Sequence, residues 1–164
     1  MKEKFVHAFL DVAQRFAELS SAKRAQVGAI IVKDNRIISI GYNGMPSGWD
    51  NVCEYEIGVY ELNKELKTKT EVLHAETNAI AKVAQSNDSS KDATLFCTHE
   101  PCIECAKLIH QSGIKSVYYR IEYNAAKGSG KDFLEKSNVA VYHTPVDNNT
   151  DIQYNTRKVK TNDS

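Results

Sequence analysis

The 164-residue chain predicts an α/β fold, a three-layer α/β/α sandwich around a mixed sheet of roughly five strands. Three observations carry this. An amphipathic helical stretch opens the chain. Two apolar runs joined by Asp34-Asn35 then read as an antiparallel hairpin. Three later apolar runs alternate with helical segments, and strands joined by crossover helices pair in parallel. At 41% hydrophobic residues, a chain of this length buries one sizeable core without disulfide staples.

The first helix is expected over Lys2 to Leu19, ending near Ser20-Ser21. Phe5, Phe9, Val12, Phe16 and Leu19 recur at helical spacing and are expected to face the core. Val27 to Val32 and Arg36 to Tyr42 are the hairpin strands. They are rich in Ile and Val with little alternation, so both faces of the sheet should be covered. Asn43 to Asn51 holds two glycines and a proline and reads as a loop, a common seat for binding groups. Cys53 to Val72 shows no clear period. His74 to Ala84 is expected as a helix with Ala75, Ala79, Ile80 and Val83 inward. Ala93 to Thr98 is a strand. Cys102 to Gln111 is a helix stopped by Ser112-Gly113. Val117 to Tyr119, Lys131 to Lys136 and Val139 to Tyr142 complete the series as strand, helix and strand. Residues 1–143 are thus expected to form one domain. Residues 144–164 are polar, lack a hydrophobic period, and are expected as a flexible tail.

Twenty-one basic residues balance 21 acidic ones. This argues against a polynucleotide partner, whose backbone demands a broad basic surface. A small anion remains compatible, because two or three local cations suffice. No 18-residue apolar run offers a membrane span. Charges interrupt the apolar stretch from Met1 to Phe16, so a signal peptide is not expected. Four cysteines in that setting point to a reducing, cytoplasmic compartment, where thiols serve as metal ligands or core residues.

Two short stretches carry chemistry: His74-Ala75-Glu76 and Pro101-Cys102-Ile103-Glu104-Cys105. Cys-x-x-Cys alone has redox and structural-zinc readings. Here both stretches open helices, and a helix N-terminus favours the thiolate that a metal needs. His74, Cys102 and Cys105 make three ligands and leave a fourth tetrahedral position for water, as in catalytic zinc sites. Glu76 lies two residues from His74 and can reach that water as a general base. A closed structural site is the alternative, with Cys53, Cys97 or His99 as a fourth ligand. His99 can otherwise line the pocket, and Cys97 reads as a small core residue.

His-x-Glu followed by Pro-Cys-x-x-Cys is the signature of zinc nucleobase deaminases. Further stretches resemble the deoxycytidylate (dCMP) deaminases within the zinc-dependent cytidine/deoxycytidylate deaminase family. These are Lys23 to Val32, Arg36 to Ser39, Gly41 to Gly48, Thr98 to Cys102, Cys105 to Lys107 and Gln111 to Ile114. The similarity covers about residues 5–142, and the compact length resembles phage and viral members.

The resemblance implies hydrolysis of dCMP to dUMP and ammonia, supplying thymidylate synthesis. It assigns His74, Cys102 and Cys105 to one Zn2+ and Glu76 to proton transfer. Ala75 and Ala29 would orient the pyrimidine, and Asn43 would hold the sugar. Arg24 and Lys23 are the candidates for the 5′-phosphate, with Arg120 a lesser one. Tyr118 and Tyr119 read as core or pocket wall. The resemblance also implies a homo-oligomer, with a hexamer favoured, switched on by dCTP and off by dTTP near the Gly41–Gly48 loop. Mg2+ would accompany a nucleotide effector. Some members hold a second, structural zinc; Ser20-Ser21 stands where a cysteine would be, so a single ion is expected. A deaminase of free cytidine or of tRNA adenosine, and a non-catalytic zinc module, are the competing readings.

Overall fold

The computed structural model describes residues 1–59, 63–124 and 128–146. Helix α1 spans Glu3–Ala17. Strands β1 (Gly28–Lys33) and β2 (Arg36–Tyr42) follow as an antiparallel pair. Asp34 and Asn35 both take positive φ, 50° and 60°, as a tight hairpin turn requires. Strands β3 (Glu54–Ile57) and β4 (Glu65–Thr68) form a separate two-stranded antiparallel unit. Then come α2 (Ala75–Ala84), β5 (Thr94–His99), α3 (Ile103–Gln111), β6 (Ser116–Ile121), α4 (Gly130–Lys136) and β7 (Ala140–His143).

The main sheet has the order β2-β1-β5-β6-β7. Its β1 runs antiparallel to β2 and β5, whereas β5, β6 and β7 are parallel. The mixed five-stranded, three-layer sandwich expected from the sequence is therefore the fold. Strand alternation sorts the core into two clusters. Ala29, Ile31, Leu95, Cys97 and Val117 face α2, α3 and α4. Ile30, Val32 and Phe96 face α1. Each fully buried Ile, Leu or Phe contributes about 1.5–3 kcal/mol of transfer free energy.

Two glycines set how closely the helices lie. A Cβ on Gly28 would stand 2.0 Å from the Ala13 carbonyl oxygen of α1. A Cβ on Gly41 would stand 2.2 Å from the Ala75 carbonyl oxygen of α2. The absent side chains let one helix pack tightly on each face.

This close packing corrects the expected face of α1. Its buried residues are Val6, Leu10, Ala13, Gln14 and Ala17. Phe5 is 37% exposed and Leu19 59% exposed, while Phe9 and Val12 flank the cluster. Small Ala13 and Ala17 face Gly28 because larger side chains could not approach it, so the helix is turned one step from its bulkiest stripe. The Cys53–Val72 stretch, without a readable period, holds the β3–β4 hairpin.

Arg120 differs from expectation, whereas its neighbours Tyr118 and Tyr119 take the core places open to them. The Arg120 guanidinium is fully buried; it meets the Asp11 carboxylate at 3.0 Å and His7 Nδ1 at 2.9 Å, both on α1. It donates to the carbonyl oxygens of Thr144 and Pro145 as well. It is thus a structural staple on the α1 face and not a phosphate ligand. Tyr118 stacks between Phe96 and Tyr142, and Tyr119 stacks on His143, so both belong to the packed interior of the sheet. Thr144 to Val146 are docked, with Thr144 N–H bonded to the Tyr119 carbonyl oxygen at 2.8 Å. The rest of the expected tail, residues 147–164, lies outside the described residues.

Candidate active site

The site forms at the carboxyl ends of the parallel strands, where open α/β sheets present their ligand crevice. His74 is the N-cap of α2 and Cys102 the N-cap of α3. Both caps lack a side-chain cap bond, and the positive ends of two helix dipoles therefore converge on one place. His74 Nδ1 lies 3.6 Å from Cys102 Sγ and 3.3 Å from Cys105 Sγ. The three ligand atoms all fall within 4.8 Å of one another. Among the described residues this is the one His/Cys/Asp/Glu group gathered closely enough for a metal. Two thiols and an imidazole nitrogen are the donor set that zinc selects, so the residues fit the ion. Hydrogen bonding from Cys105 and His74 draws the Cys102 thiol down to about 3, the thiolate form that ligation requires.

Glu76 sits in the first turn of α2 and is 4% exposed. Burial raises its carboxyl above the usual range. Burial, then the adjacent Glu76, pushes the Cys97 thiol up, and Cys97 remains a core residue on β5.

A pocket of about 150 Å³ joins this centre to the surrounding loops. Arg24, Asn43, His74, Ala75, Glu76 and Cys102 line it, so six of the nine sequence-predicted site residues meet there. Cys105, the third member of the trio, is buried and does not line it. Ala29 does not reach the wall: it is fully buried in the core, and Ala25 and Val27 take that position. Lys23 is exposed beside the pocket, and its backbone N–H donates to Glu54 Oε1 at 2.8 Å. Asn43 is on the wall with its amide engaged: Oδ1 accepts from Val27 N–H and Nδ2 donates to the Ala25 carbonyl oxygen, both at 2.8 Å. One lone pair and one N–H remain for a ligand.

Sequence reasoning missed Glu54, Thr68, Glu100 and Tyr123, which complete the wall. Glu100 and Tyr123 follow the carboxyl ends of β5 and β6, a positional signal that could have found them. Glu54 and Thr68 lie on the unread hairpin and carry no such signal. His99 lines the pocket as the sequence allowed. Thr98 Oγ1 accepts from Gly28 N–H at 3.1 Å and lies 2.9 Å from His99 Nδ1. The Thr98 hydroxyl thus engages Nδ1 of the His99 ring from the β5 side. Burial holds the ring neutral, with a pKa lowered to about 4.

Cys53 is buried with Ala22 and Val72, and its Sγ is 3.6 Å from Ser21 Oγ. Among the described residues no helix is long and apolar enough to cross a membrane.

Residues 1–121 match the family described as the cytidine and deoxycytidylate deaminase zinc-binding region. The deoxycytidylate deaminase of Enterobacteria phage T4 is 34% identical, over 85% of this chain and 89% of its own. The human deoxycytidylate deaminase is 40% identical, over 68% of this chain and 61% of its own. The crystal structure of the dCMP deaminase from cyanophage S-TIM5 in complex with dCMP and dUMP matches this fold with a TM-score of 0.77. That match is 41% identical and covers 88% of this chain and 99% of that one. The His-x-Glu and Pro-Cys-x-x-Cys stretches both fall inside the matched region, and the chain belongs to the cytidine and deoxycytidylate deaminase family.

Proposed function

We propose that the chain hydrolyses dCMP to dUMP and ammonia. The observation that carries the reading is one pocket walled by a His/Cys/Cys trio, a buried carboxyl and an arginine. Zinc held by His74, Cys102 and Cys105 would supply Lewis-acid activation of a water in its open fourth position. Glu76 accepts a proton from the attacking water and delivers it to ring N3. It then assists protonation of the departing amino group, so one water is consumed and one ammonia released. Burial raises its pKa, which favours uptake of that proton. The main chain of Ala75 orients the ring, the free amide valences of Asn43 hold the deoxyribose, and Arg24 with Lys23 meets the 5′-phosphate. Ala29 supports the wall from the core.

The dUMP would feed thymidylate synthesis in the cytoplasm. Residues 1–143 form the catalytic unit, and 144–164 are an appendage. By resemblance to the family, the chain assembles as a hexamer, activated by dCTP and inhibited by dTTP near the Gly41–Gly48 loop. Mg2+ would arrive on an effector's phosphates, since among the described residues no acidic trio is gathered for it.

Zinc-loaded protein incubated with dCMP, deoxycytidine, dCTP and tRNA, with loss of the amine followed by absorbance, tests the substrate. Turnover of dCMP above the others is expected. Turnover of deoxycytidine but not dCMP would overturn the reading. Sedimentation with and without dCTP and dTTP tests the assembly and its control.

A further inference from the structure

We propose that the β3–β4 hairpin is the brace of the phosphate end of the pocket, with Glu54 as its positioning residue. The proposal rests on Arg24 as a phosphate ligand. Arg24 sits in the irregular segment between α1 and β1, where nothing in the backbone itself fixes a long, flexible side chain. A guanidinium recognises phosphate well only when its fork is held in place, because ordering it on binding costs affinity.

The hairpin supplies that order at two points. Glu54 Oε1 accepts from the backbone N–H groups of both Lys23 and Arg24, at 2.8 and 3.0 Å. Thr68 Oγ1 accepts from the Arg24 guanidinium at 3.2 Å. Glu54 and Thr68 are directly opposed across the β3–β4 pair. One register position therefore fixes the main chain of the cationic turn and the direction of its side chain. A slip of one residue would turn Glu54 to the other face and lose both contacts.

The hairpin is itself anchored. Lys69 N–H donates to the Cys53 carbonyl oxygen at 2.8 Å, and Cys53 packs with Ala22 and Val72. Glu54 is only 6% exposed although the rest of β3 is exposed, so the strand buries the one carboxyl that the turn needs. A carboxylate repels a phosphate, so Glu54 acts through Arg24 and not by touching the substrate.

The test uses the full-length, zinc-loaded protein. It measures kcat and KM for dCMP, and the inhibition constant of phosphate-free deoxycytidine as a competitor. Glu54→Ala should raise the dCMP KM roughly tenfold, the effect of losing charge-assisted positioning, with kcat little changed. Deoxycytidine should bind as before. Glu54→Gln keeps an acceptor oxygen and should stay within about threefold of wild type. Thr68→Val should raise the dCMP KM by about threefold without moving deoxycytidine. Equal weakening of both ligands, an unchanged dCMP KM, or a Glu54→Gln as damaging as Glu54→Ala would overturn the brace. Where Glu54→Ala fails to fold, Thr68→Val decides, and its unchanged KM would overturn the proposal. A wild-type protein that spares dCMP would instead overturn the functional reading on which this one rests.

Discussion

Glu76 is held between two opposing influences. It lies in the first turn of α2, where the helix dipole favours a carboxylate, yet it is buried, and burial raises its pKa on balance. A carboxyl in that state takes up a proton more readily than an exposed one. Glu76→Gln keeps the shape of the side chain and removes only this capacity. We expect it to bind zinc in the wild-type ratio while turnover falls by about 10²-fold to 10⁴-fold. Metal analysis alongside the absorbance assay checks both halves, and an active Glu76→Gln would remove Glu76 from the proton path. His99 carries a second prediction at this scale. Its pKa in the fold is about 4, against 6.5 in the unfolded chain, so the unfolded chain binds the extra proton between those values. The stability this ring contributes is complete above pH 6.5 and is lost as pH falls towards 4. Between pH 7 and pH 5 the wild type should therefore lose about 2 kcal/mol more than His99→Leu. Urea unfolding at the two pH values measures this, and equal losses would refute the neutral, buried histidine.

Helices and strands differ in how much of them the residues announce. The β1–β2 hairpin was legible because Asp34-Asn35 separates two Ile-rich runs and the turn chemistry fixes the register. The α2 and α3 starts were legible because the metal motif sits on both caps. The face of α1 was not, because it depends on a partner: Gly28, on the first strand, admits only the small Ala13 and Ala17 opposite it. The β3–β4 hairpin was not legible because its strands are only four residues long and its burial inverts the usual pattern: the apolar Tyr55, Ile57 and Leu66 are exposed while the carboxylate Glu54 is buried. Glu54 and Thr68 of that hairpin line the pocket beside Arg24, so this part of the wall was read only as far as Arg24. The two close-packed glycines give a prediction that separates the faces. Gly28→Ala and Gly41→Ala should each cost about 1–3 kcal/mol or more, because the new Cβ meets backbone in both cases. Gly41→Ala pushes on the first residue of α2, next to His74, and should also lower zinc affinity. Gly28→Ala pushes on α1 and should leave zinc affinity unchanged. Denaturation midpoints and metal titrations of the two variants distinguish them, and equal loss of zinc would refute the separation.

The whole molecule divides its labour across the sheet. One face packs α2, α3 and α4 and gathers His74, Cys102 and Cys105 at its helix starts; the other packs α1. Arg120 ties that second layer down, joining α1 through Asp11 and His7 to the chain after β7 through Thr144 and Pro145. The sequence left it a lesser phosphate candidate, because the sequence shows the charge but not that the side chain is buried against α1. Removing it strands several buried acceptors at once, a loss of about 3 kcal/mol. Removing Arg24, which is exposed, should cost stability no more than about 0.5 kcal/mol. The two arginines should therefore separate in opposite directions. Arg120→Ala should lower the urea midpoint and leave the dCMP KM of the folded protein unchanged. Arg24→Ala should leave the midpoint unchanged and raise that KM roughly tenfold. Measuring both quantities on both variants, below the unfolding transition of each, decides the matter. A raised KM in Arg120→Ala would mean that the α1 layer transmits to the pocket, and the division between the two faces would have to be abandoned.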